Sequence, residues 1–486
     1  MFRWLVTINA VDADGTPRTL RFSDGRYTRN GYPYFPRVAQ PGLYRFGMQA
    51  GPLISAQASG FGETELINND GNLNYLADYA IDGRELLIER VNNDLSITEI
   101  LRGTATGFEF ADNSVIVRLR DPWQPFEKPH PHQTYAGDNV LPNGVEGVED
   151  DIKGTQKPQV YGEVLNAQPP MVNTSRLVYQ VSSRSDCTVT AVYDGGAALS
   201  YGGQASSLSN LLSSTPSAGT YRRYQGYFRL GASPVGEITC DAKTAQTGAG
   251  SVMAMLCADV SLPITSASVS ALNDVGTVGL YVDSNRSTVE MIDELITSVG
   301  AYRGIDVSGT VFAGLLVPPE DQTAEFRIEP YMVSESDRSE IGVGDNGLPL
   351  WRVEMDCDHI ESTLESVAGS VSSARAARLK KAARTASAES QATKSRHLLS
   401  LNYREVSRLR SVQDATAVCQ RLIGLYSVRR DRVSIEVQVG KTQDWRVGQV
   451  GEVYYPRLGY DTPRKMLLIG IELDAESSVQ RLQLWG

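Results

Sequence analysis

The chain has 486 residues, more than one hydrophobic core usually serves, so three or four domains are expected. Its formal net charge of −11 argues against a protein that holds duplex nucleic acid on a basic surface. No apolar run is long enough for a transmembrane helix, and the opening residues lack the apolar region of a signal peptide, which predicts assembly in the cytosol.

Residues 1–120 are composed of short strand-like segments separated by turn residues. Asp24-Gly25 and Asn30-Gly31 mark two of these turns, since glycine and asparagine adopt left-handed conformations at little cost. Short strands with regular turns between them are typical of a barrel or a sandwich. We therefore predict an N-terminal, barrel-like β domain over residues 1–120.

Residues 121–170 are rich in proline, glycine and acidic residues. A loop of this length in a compact domain is usually functional or a connector. Four prolines favour polyproline-like backbone in its first part: Pro122, Pro125, Pro129 and Pro131. The segment is thus predicted to be an extended arm between domains, which would bury its groups on a neighbouring subunit.

The middle of the chain changes from strands to a mixed pattern. Residues 171–262 predict an inserted β-rich domain, and residues 263–357 an α+β domain. In the latter, Val289, Ile292 and Ile296 recur at helical spacing behind Ser287, a residue suited to capping a helix. This pattern predicts an amphipathic helix packed on a sheet.

Residues 358–402 are dominated by alanine, serine, lysine and arginine, with only a thin apolar stripe. The composition predicts one long or two broken exposed helices that dock on one side at most. Its basic patch from Arg375 to Arg396 fits a solvated helix face or a protein interface. Nucleic-acid binding is disfavoured because no aromatic residues for base stacking are interleaved.

Residues 403–486 combine an amphipathic helix with alternating strands. The apolar helix positions are Ala415, Val418, Cys419, Leu422, Ile423 and Tyr426. Ser411 with Asp414 is a plausible helix start. Val433, Ile435, Val437 and Val439 then alternate with polar residues, as in a half-buried strand. We predict a C-terminal helix that supports a barrel-like β domain, and overall a mainly β, multidomain protein with α+β parts.

Motifs for catalysis or ligand binding are weak throughout. Gly342-Val343-Gly344-Asp345-Asn346-Gly347 matches the dinucleotide-binding pattern, but a strand-like segment follows where a helix is needed, so a turn is predicted. His130 and His132 lie two apart in the proline-rich loop without a clear third ligand beyond acids such as Asp138. The remaining histidines are His359 and His397.

Acidic residues and cysteines favour structural roles. Glu149, Asp150 and Asp151 look like solvated charge, although a glycosidase pair of distant acids stays open. The five widely spaced cysteines predict buried free thiols rather than zinc ligands or disulfides. We predict no catalytic, cofactor-binding or metal-binding residues, no cofactor and no enzymatic activity.

Three regions carry short motifs in a defined order. The C-terminal set is a helix ending in LYSVRRDR, a D-x-x-x-G-x-V crossing from Asp444 to Val450, the segment Tyr455–Gly459, then LLIGIELD and LQLWG. The middle set consists of Val192–Gly196 and Phe228–Asp241. The N-terminal set consists of an FSD strand and a GE-x-E-L hairpin. Together they resemble the baseplate-hub (tail-tip hub) proteins of long-tailed bacteriophages.

This resemblance implies a structural virion protein in the tail baseplate. Such hubs are homotrimers whose two barrel-like domains per subunit, here 1–120 and 430–486, form a ring that closes the tail tube and opens for DNA. The implied partners are the distal tail protein, the tape-measure protein, central tip or tail fibre proteins, and genomic DNA passing without specific binding, with no stable membrane insertion. An adhesin or receptor-binding tail protein is the alternative, and a cell-wall hydrolase the next.

Overall fold

The computed structural model describes residues 3–50, 54–55, 60–120, 123–341, 348–438, 445–474 and 479–486. These residues form six β-sheets, accompanied by helices that are mostly short. The predicted mainly β, multidomain fold class is confirmed.

An open sheet of nine strands dominates the N-terminal region, in the order β3-β4-β2-β1-β11-β12-β13-β10-β5. The strands of this region are β1 (Arg3–Val11), β2 (Pro17–Ser23), β3 (Tyr27–Arg29), β4 (Tyr32–Pro36), β5 (Val38–Gln40), β6 (Leu43–Gly47), β7 (Gln49–Ala50), β8 (Ile54–Ser55), β9 (Gly60–Phe61), β10 (Glu63–Ile67), β11 (Glu85–Val91), β12 (Ile97–Phe110) and β13 (Ser114–Leu119). Val6, Ile8 and Ile88 are fully buried, as the alternation of a half-buried strand requires.

The turn predicted at Asn30-Gly31 is confirmed. Both residues have positive φ, 52° and 81°, and they join β3 to β4 in a hairpin. Strands β6, β7 and β8 lie outside the N-terminal sheet. Strand β6 pairs with a C-terminal strand, and β7 and β8 join a separate four-stranded sheet.

Residues 159–282 form two five-stranded sheets around a shared core. The elements from Trp123 onward are α1 (Gln124–Glu127), β14 (Gln159–Ala167), β15 (Met171–Asn173), β16 (Val178–Gln180), β17 (Cys187–Asp194), β18 (Ala197–Ala198), β19 (Ser200–Gln204), α2 (Leu208–Ser213), β20 (Thr220–Tyr224), β21 (Tyr227–Leu230), β22 (Ile238–Thr244), α3 (Ala249–Asp259), α4 (Ser266–Asn273) and β23 (Gly279–Val282). One sheet runs β18-β17-β22-β14-β23, the other β15-β16-β21-β20-β19. Tyr179 and Phe228 stack in the core with ring centroids 5.2 Å apart.

The proline-rich segment is not the extended arm that its composition predicted. From Trp123 to Pro158 the chain folds back on its own sheets. Tyr135 is buried against Val172 and Leu211, and its hydroxyl donates to Gln180 Oε1 at 2.7 Å. The expectation failed because apolar residues spaced along the segment are enough to hold it on a neighbouring core, while glycines allow the reversals between them.

The α+β character predicted for residues 263–357 is present. It contains α5 (Thr288–Ser298), β24 (Ala301–Ile305), β25 (Val311–Leu315), β26 (Phe326–Ile328), β27 (Val333–Ile341) and β28 (Leu350–Cys357). Helix α5 starts with a capping box in which the Ser287 hydroxyl accepts from the Glu290 amide and Glu290 accepts from the Ser287 amide. Ile292 and Ile296 are buried, as their spacing predicted.

The basic segment 358–402 is not a long helix. It contains α6 (Ser373–Leu379), β29 (Arg384–Glu389), α7 (Gln391–Arg396) and the start of β30 (Leu401–Val406). Both strands pair with β28, giving a three-stranded sheet. Two short helices are therefore present, but the strands between and after them were not expected. They form because high helix propensity is a weak constraint where β28 offers two free edges for backbone hydrogen bonds.

The C-terminal region contains α8 (Val412–Tyr426), β31 (Arg430–Gln438), β32 (Val450–Tyr455), β33 (Tyr460–Asp474) and β34 (Val479–Trp485). The Ser411 hydroxyl caps α8 by accepting from the Asp414 amide at 3.2 Å, as predicted. The sheet runs β26-β32-β33-β34-β31-β27, and β6 pairs with β33. Within the described ranges neither this sheet nor the nine-stranded one closes into a barrel.

Helix α8 packs mainly on β28 and β29 and only in part on its own C-terminal sheet. Its apolar face lies in a core shared with β28, β29 and α5, and the Cys419 thiol lies 3.7 Å from the Ala386 carbonyl oxygen. The C-terminal strands have a separate core that contains Val433, Ile435 and Leu482. Other residues of the C-terminal sheet, Val450, Leu467 and Ile469, belong to the same core as α8. The Tyr426 ring lies against Trp485, with ring centroids 6.0 Å apart.

We predict that Leu422→Asp destabilises this shared core. The side chain is buried, so an unpaired carboxylate there should lower the free energy of unfolding by about 4 kcal/mol or more. Denaturant unfolding followed by circular dichroism measures the loss. Gln420→Asp, an exposed position on the same helix, should change stability little, and equal effects from both variants would contradict the packing described.

Candidate functional site

The two loop histidines differ in their surroundings. His130 is 2% exposed, with Nδ1 2.8 Å from the Thr288 hydroxyl and Nε2 2.6 Å from the Tyr161 hydroxyl. The Tyr161 hydroxyl also donates to Asp259 Oδ2 at 2.6 Å. This buried chain of hydrogen bonds fixes the proline-rich segment to β14, α3 and α5. His132, by contrast, lies on the surface.

Asp259 is the charged end of this chain of hydrogen bonds. Burial favours its neutral form, but hydrogen bonds from His130 and Tyr161 and the charge of Arg184 outweigh that effect and hold the pKa of Asp259 below its ordinary value. The Arg184 guanidinium donates to Asp259 at 2.8 Å and stacks on the Tyr161 ring. The hydrogen-bonding groups of Asp259, His130 and Tyr161 are therefore engaged in contacts between secondary-structure elements.

The other residues singled out from the sequence remain dispersed. Asp138, Glu149, Asp150 and Asp151 are exposed on one loop. Burial lowers the pKa of His359, whose Nε2 is 2.9 Å from the Asp356 carbonyl oxygen. No group of three or more potential metal-ligating side chains occurs in the part of the chain that is described. The motif Gly342–Gly347, Val439 and Asp444 lie outside the described residues.

All five cysteines are buried free thiols, as predicted. Burial raises the pKa of Cys187, Cys257 and Cys419 to about 12, so these thiols are protonated at neutral pH. Buried, protonated thiols pack as small apolar groups.

The most distinctive arrangement is a seam between the two ends of the chain. Strand β6 pairs antiparallel with β33 over five residue pairs, from Gly47 opposite Gly470 to Leu43 opposite Asp474. Tyr44 is fully buried, and Leu473 lies in the N-terminal core although it belongs to the C-terminal sheet. Strand β33 thus contributes side chains to three hydrophobic cores.

A ladder of opposite charges crosses the seam. Arg45 Nε of β6 contacts Glu472 of β33 at 2.7 Å, and Glu472 also contacts Arg481 of β34 at 3.1 Å. Arg481 in turn contacts Glu436 of β31 at 3.2 Å. Opposite charges on adjacent strands favour this register, because a shift by one residue would move each side chain to the other face of the sheet.

A buried carboxylate stabilises the far side of the same sheet. The Asp431 side chain is 1% exposed and is contacted by Arg338 at 2.5 Å, Arg464 at 3.1 Å and Arg429 at 3.2 Å. Its backbone also pairs with Gly486. The Asp431 carboxylate of β31 therefore links β27 and β33 to its own strand through the three guanidinium groups that contact it.

A cavity of about 340 Å³ lies beside the seam. Its walls come from the N-terminal sheet, the β24–β25 hairpin and the C-terminal sheet. The aromatic lining residues are Phe46, Phe312 and Trp445, and the charged ones are Arg90, Glu99, Asp306 and Arg446. Sequence reasoning missed the seam and this cavity, since their residues are hundreds of positions apart. The one local signal was the apolar stretch of β33, which continues past the C-terminal core.

No family model and no curated protein matches the sequence. Among solved structures, the chain is similar to the 43 kDa tail protein of prophage MuSo2 from Shewanella oneidensis, at 9% identity and a TM-score of 0.42 over 99% of this chain and 95% of that one. It is also similar to a tail protein from Neisseria meningitidis MC58, at 8% identity and a TM-score of 0.44, covering 100% and 96%.

A prophage tail protein from Listeria monocytogenes EGD-e gives 8% identity and a TM-score of 0.40, covering 99% of this chain and 94% of its own. These structural neighbours are therefore tail proteins, all at very low sequence identity. Among the described helices, none has the length and apolar character needed to span a membrane.

Leu473→Ala tests whether the seam joins the two sheets. The cavity left behind should lower the free energy of unfolding by roughly 3 kcal/mol. Hydrogen exchange should show that β1 and β11 lose protection together with β31 and β34, because the lost side chain lies in the N-terminal core and belongs to a strand of the C-terminal sheet. Leu95→Ala removes an exposed leucine and is the control. Loss of protection confined to one sheet would contradict a shared seam.

Proposed function

We propose that this chain is a structural protein of a bacteriophage tail and acts as the baseplate hub at the distal end of the tail tube. The observation that carries the proposal is the seam: a strand from residues 1–120 is built into the sheet of residues 430–486. These are the two regions that the sequence resemblance assigns to the ring of a hub.

A ring at the end of a tube must keep its two β domains in a fixed relation while the tube above transmits force. Two domains joined by a linker would move independently, because interfaces between domains are generally small. Continuous backbone hydrogen bonds between β6 and β33, together with the burial of Tyr44 and Leu473, make the two regions one body. This rigidity supports a load-bearing role.

The charge of the chain supports passage of DNA without retention. Three copies would carry 3 × −11 = −33. Acidic walls repel phosphates, and each absent lysine or arginine contact removes a counterion-release contribution to binding. We propose that acidic residues face the lumen of a homotrimer.

The proposed partners follow from the same role. A hub contacts the distal tail protein above, the tape-measure protein inside and central tip or fibre proteins below. Assembly would take place in the host cytoplasm before the tail joins the virion. No cofactor or metal is required by this role, which depends on packing and strand pairing.

A phage with a stop codon in this gene provides the test. In a non-suppressing host it should make heads but no complete tails, since a hub is needed before the tube can be built. Supplying the wild-type chain from a plasmid should restore complete tails, counted by negative-stain microscopy. Supplying Leu473→Ala should restore fewer. Normal tails in the absence of the chain would contradict a hub role.

A further inference from the structure

Two exposed loops combine apolar side chains with charges of opposite sign. The basic apolar loop, residues 394–401, comprises the last turn of α7 and the residues that lead to the start of β30. Leu398 is 90% exposed and Leu399 73% exposed, and Leu401 beside them is also exposed. Leucines grouped on a surface in this way mark an interaction site more often than isolated ones do.

Positive charges flank these leucines. Lys394 and Arg396 are both exposed. Lys394 lies over the Trp351 ring at 3.8 Å, whereas Arg396 has no ion-pair partner among the described residues. The loop is held in place by the Thr393 hydroxyl, which donates to the Ser427 carbonyl oxygen at 2.9 Å.

The acidic apolar loop, residues 138–151, has the complementary character. Val140 is 81% exposed, and Leu141 next to it is exposed as well. Asp138, Asp150 and Asp151 are exposed, and the described residues provide none of the three with an ion-pair partner. This loop therefore combines exposed apolar side chains with negative charges, whereas the basic apolar loop combines them with positive charges.

The acidic apolar loop is preformed. The Asn139 side-chain amide donates to the Val172 carbonyl oxygen at 2.7 Å, and the Gly147 amide donates to the same oxygen at 3.1 Å. Val145 and Ile152 pack on the core beneath. A loop already ordered in the free protein loses little conformational entropy on binding.

We propose that the acidic apolar loop of one copy binds the basic apolar loop of the next copy, head to tail. The leucines of the basic apolar loop and the valine and leucine at the tip of the acidic apolar loop are exposed, which leaves both loops available to other molecules. Two different patches on the same chain make a heterologous contact, which generates a ring when the rotation closes. The inference rests on the proposed function only in that a hub is a ring of copies.

A second copy accounts for both loops at once, which a membrane does not. Anionic lipid would attract Lys394 and Arg396, but it would repel Asp150, Asp151 and a chain of net charge −11. Charge complementarity at the rim would steer the copies together, and burial of leucine and valine side chains would hold them.

Sedimentation velocity on the purified full chain, over a range of concentrations, tests the contact. Wild type should self-associate, and less so as salt is added. Arg396→Glu and the double variant Asp150→Lys with Asp151→Lys should each weaken self-association about tenfold or more. Lys243→Glu, an exposed charge on β22, is the control and should associate as wild type does.

Mixing the two defective variants separates this contact from general effects of charge. One variant retains a native acidic loop and the other a native basic loop, and the reversed loops are again opposite in sign. The mixture should therefore associate although neither variant does alone. Circular dichroism should show each variant folded as wild type is.

Three results would overturn the proposal: a wild-type chain that stays monomeric, variants that associate like wild type, or a mixture that stays monomeric. Vesicles containing phosphatidylglycerol provide the remaining arm. Binding to them that requires Leu398 and Leu399, without self-association, would identify the basic apolar loop as a lipid contact instead. Tail assembly in the stop-codon phage reports on the hub role separately, so the failure of one proposal is distinguishable from failure of the other.

Discussion

The pairing of β6 with β33 is the interaction on which the rest of the structure depends. It places β6, near residue 45, in the same sheet as β33, near residue 470. The chain between these two strands must therefore begin and end at the same sheet. The middle sheets, α5 and α8 belong to this intervening chain, and the cavity lies where three parts of the fold meet. The Leu473 side chain packs in the N-terminal core while its backbone belongs to the C-terminal sheet, so this residue couples the two ends.

Ion pairs and hydrogen-bonded charges in the interior fix the relative positions of the strands and helices, and they contribute little to the net free energy of folding. Asp431 among three arginines and Asp259 with His130 and Tyr161 each fix elements that are distant in sequence. Desolvation offsets most of the attraction within such groups, but losing one partner leaves an unpaired buried charge. Misplaced strands or segments are therefore penalised strongly.

Local features of the fold were predictable from the sequence, whereas long-range ones were not. Ser287 and Ser411 cap helices where their spacing indicated, and Val433 and Ile435 alternate in a strand as expected. The seam was missed because pairing between distant strands leaves no local period. In the 358–402 segment, strand pairing with β28 overrides helix propensity, which the composition did not indicate. The proline-rich segment was predicted to be extended, but its scattered apolar residues suffice to dock it on a neighbouring core. The histidines and acidic residues that were weighed as possible site residues do not form one cluster. His130 is the one that is held in a buried network, with partners from three other elements.

The central claim is that both end regions act together as one ring-forming body at the tip of a tail. Cryo-electron microscopy of intact tails carrying this chain tests it most directly. The account predicts density for several copies around the axis at the distal end, with the β6–β33 seam intact in each copy and acidic residues facing the lumen. Density elsewhere in the particle, or end domains separated from each other at the tip, would contradict it.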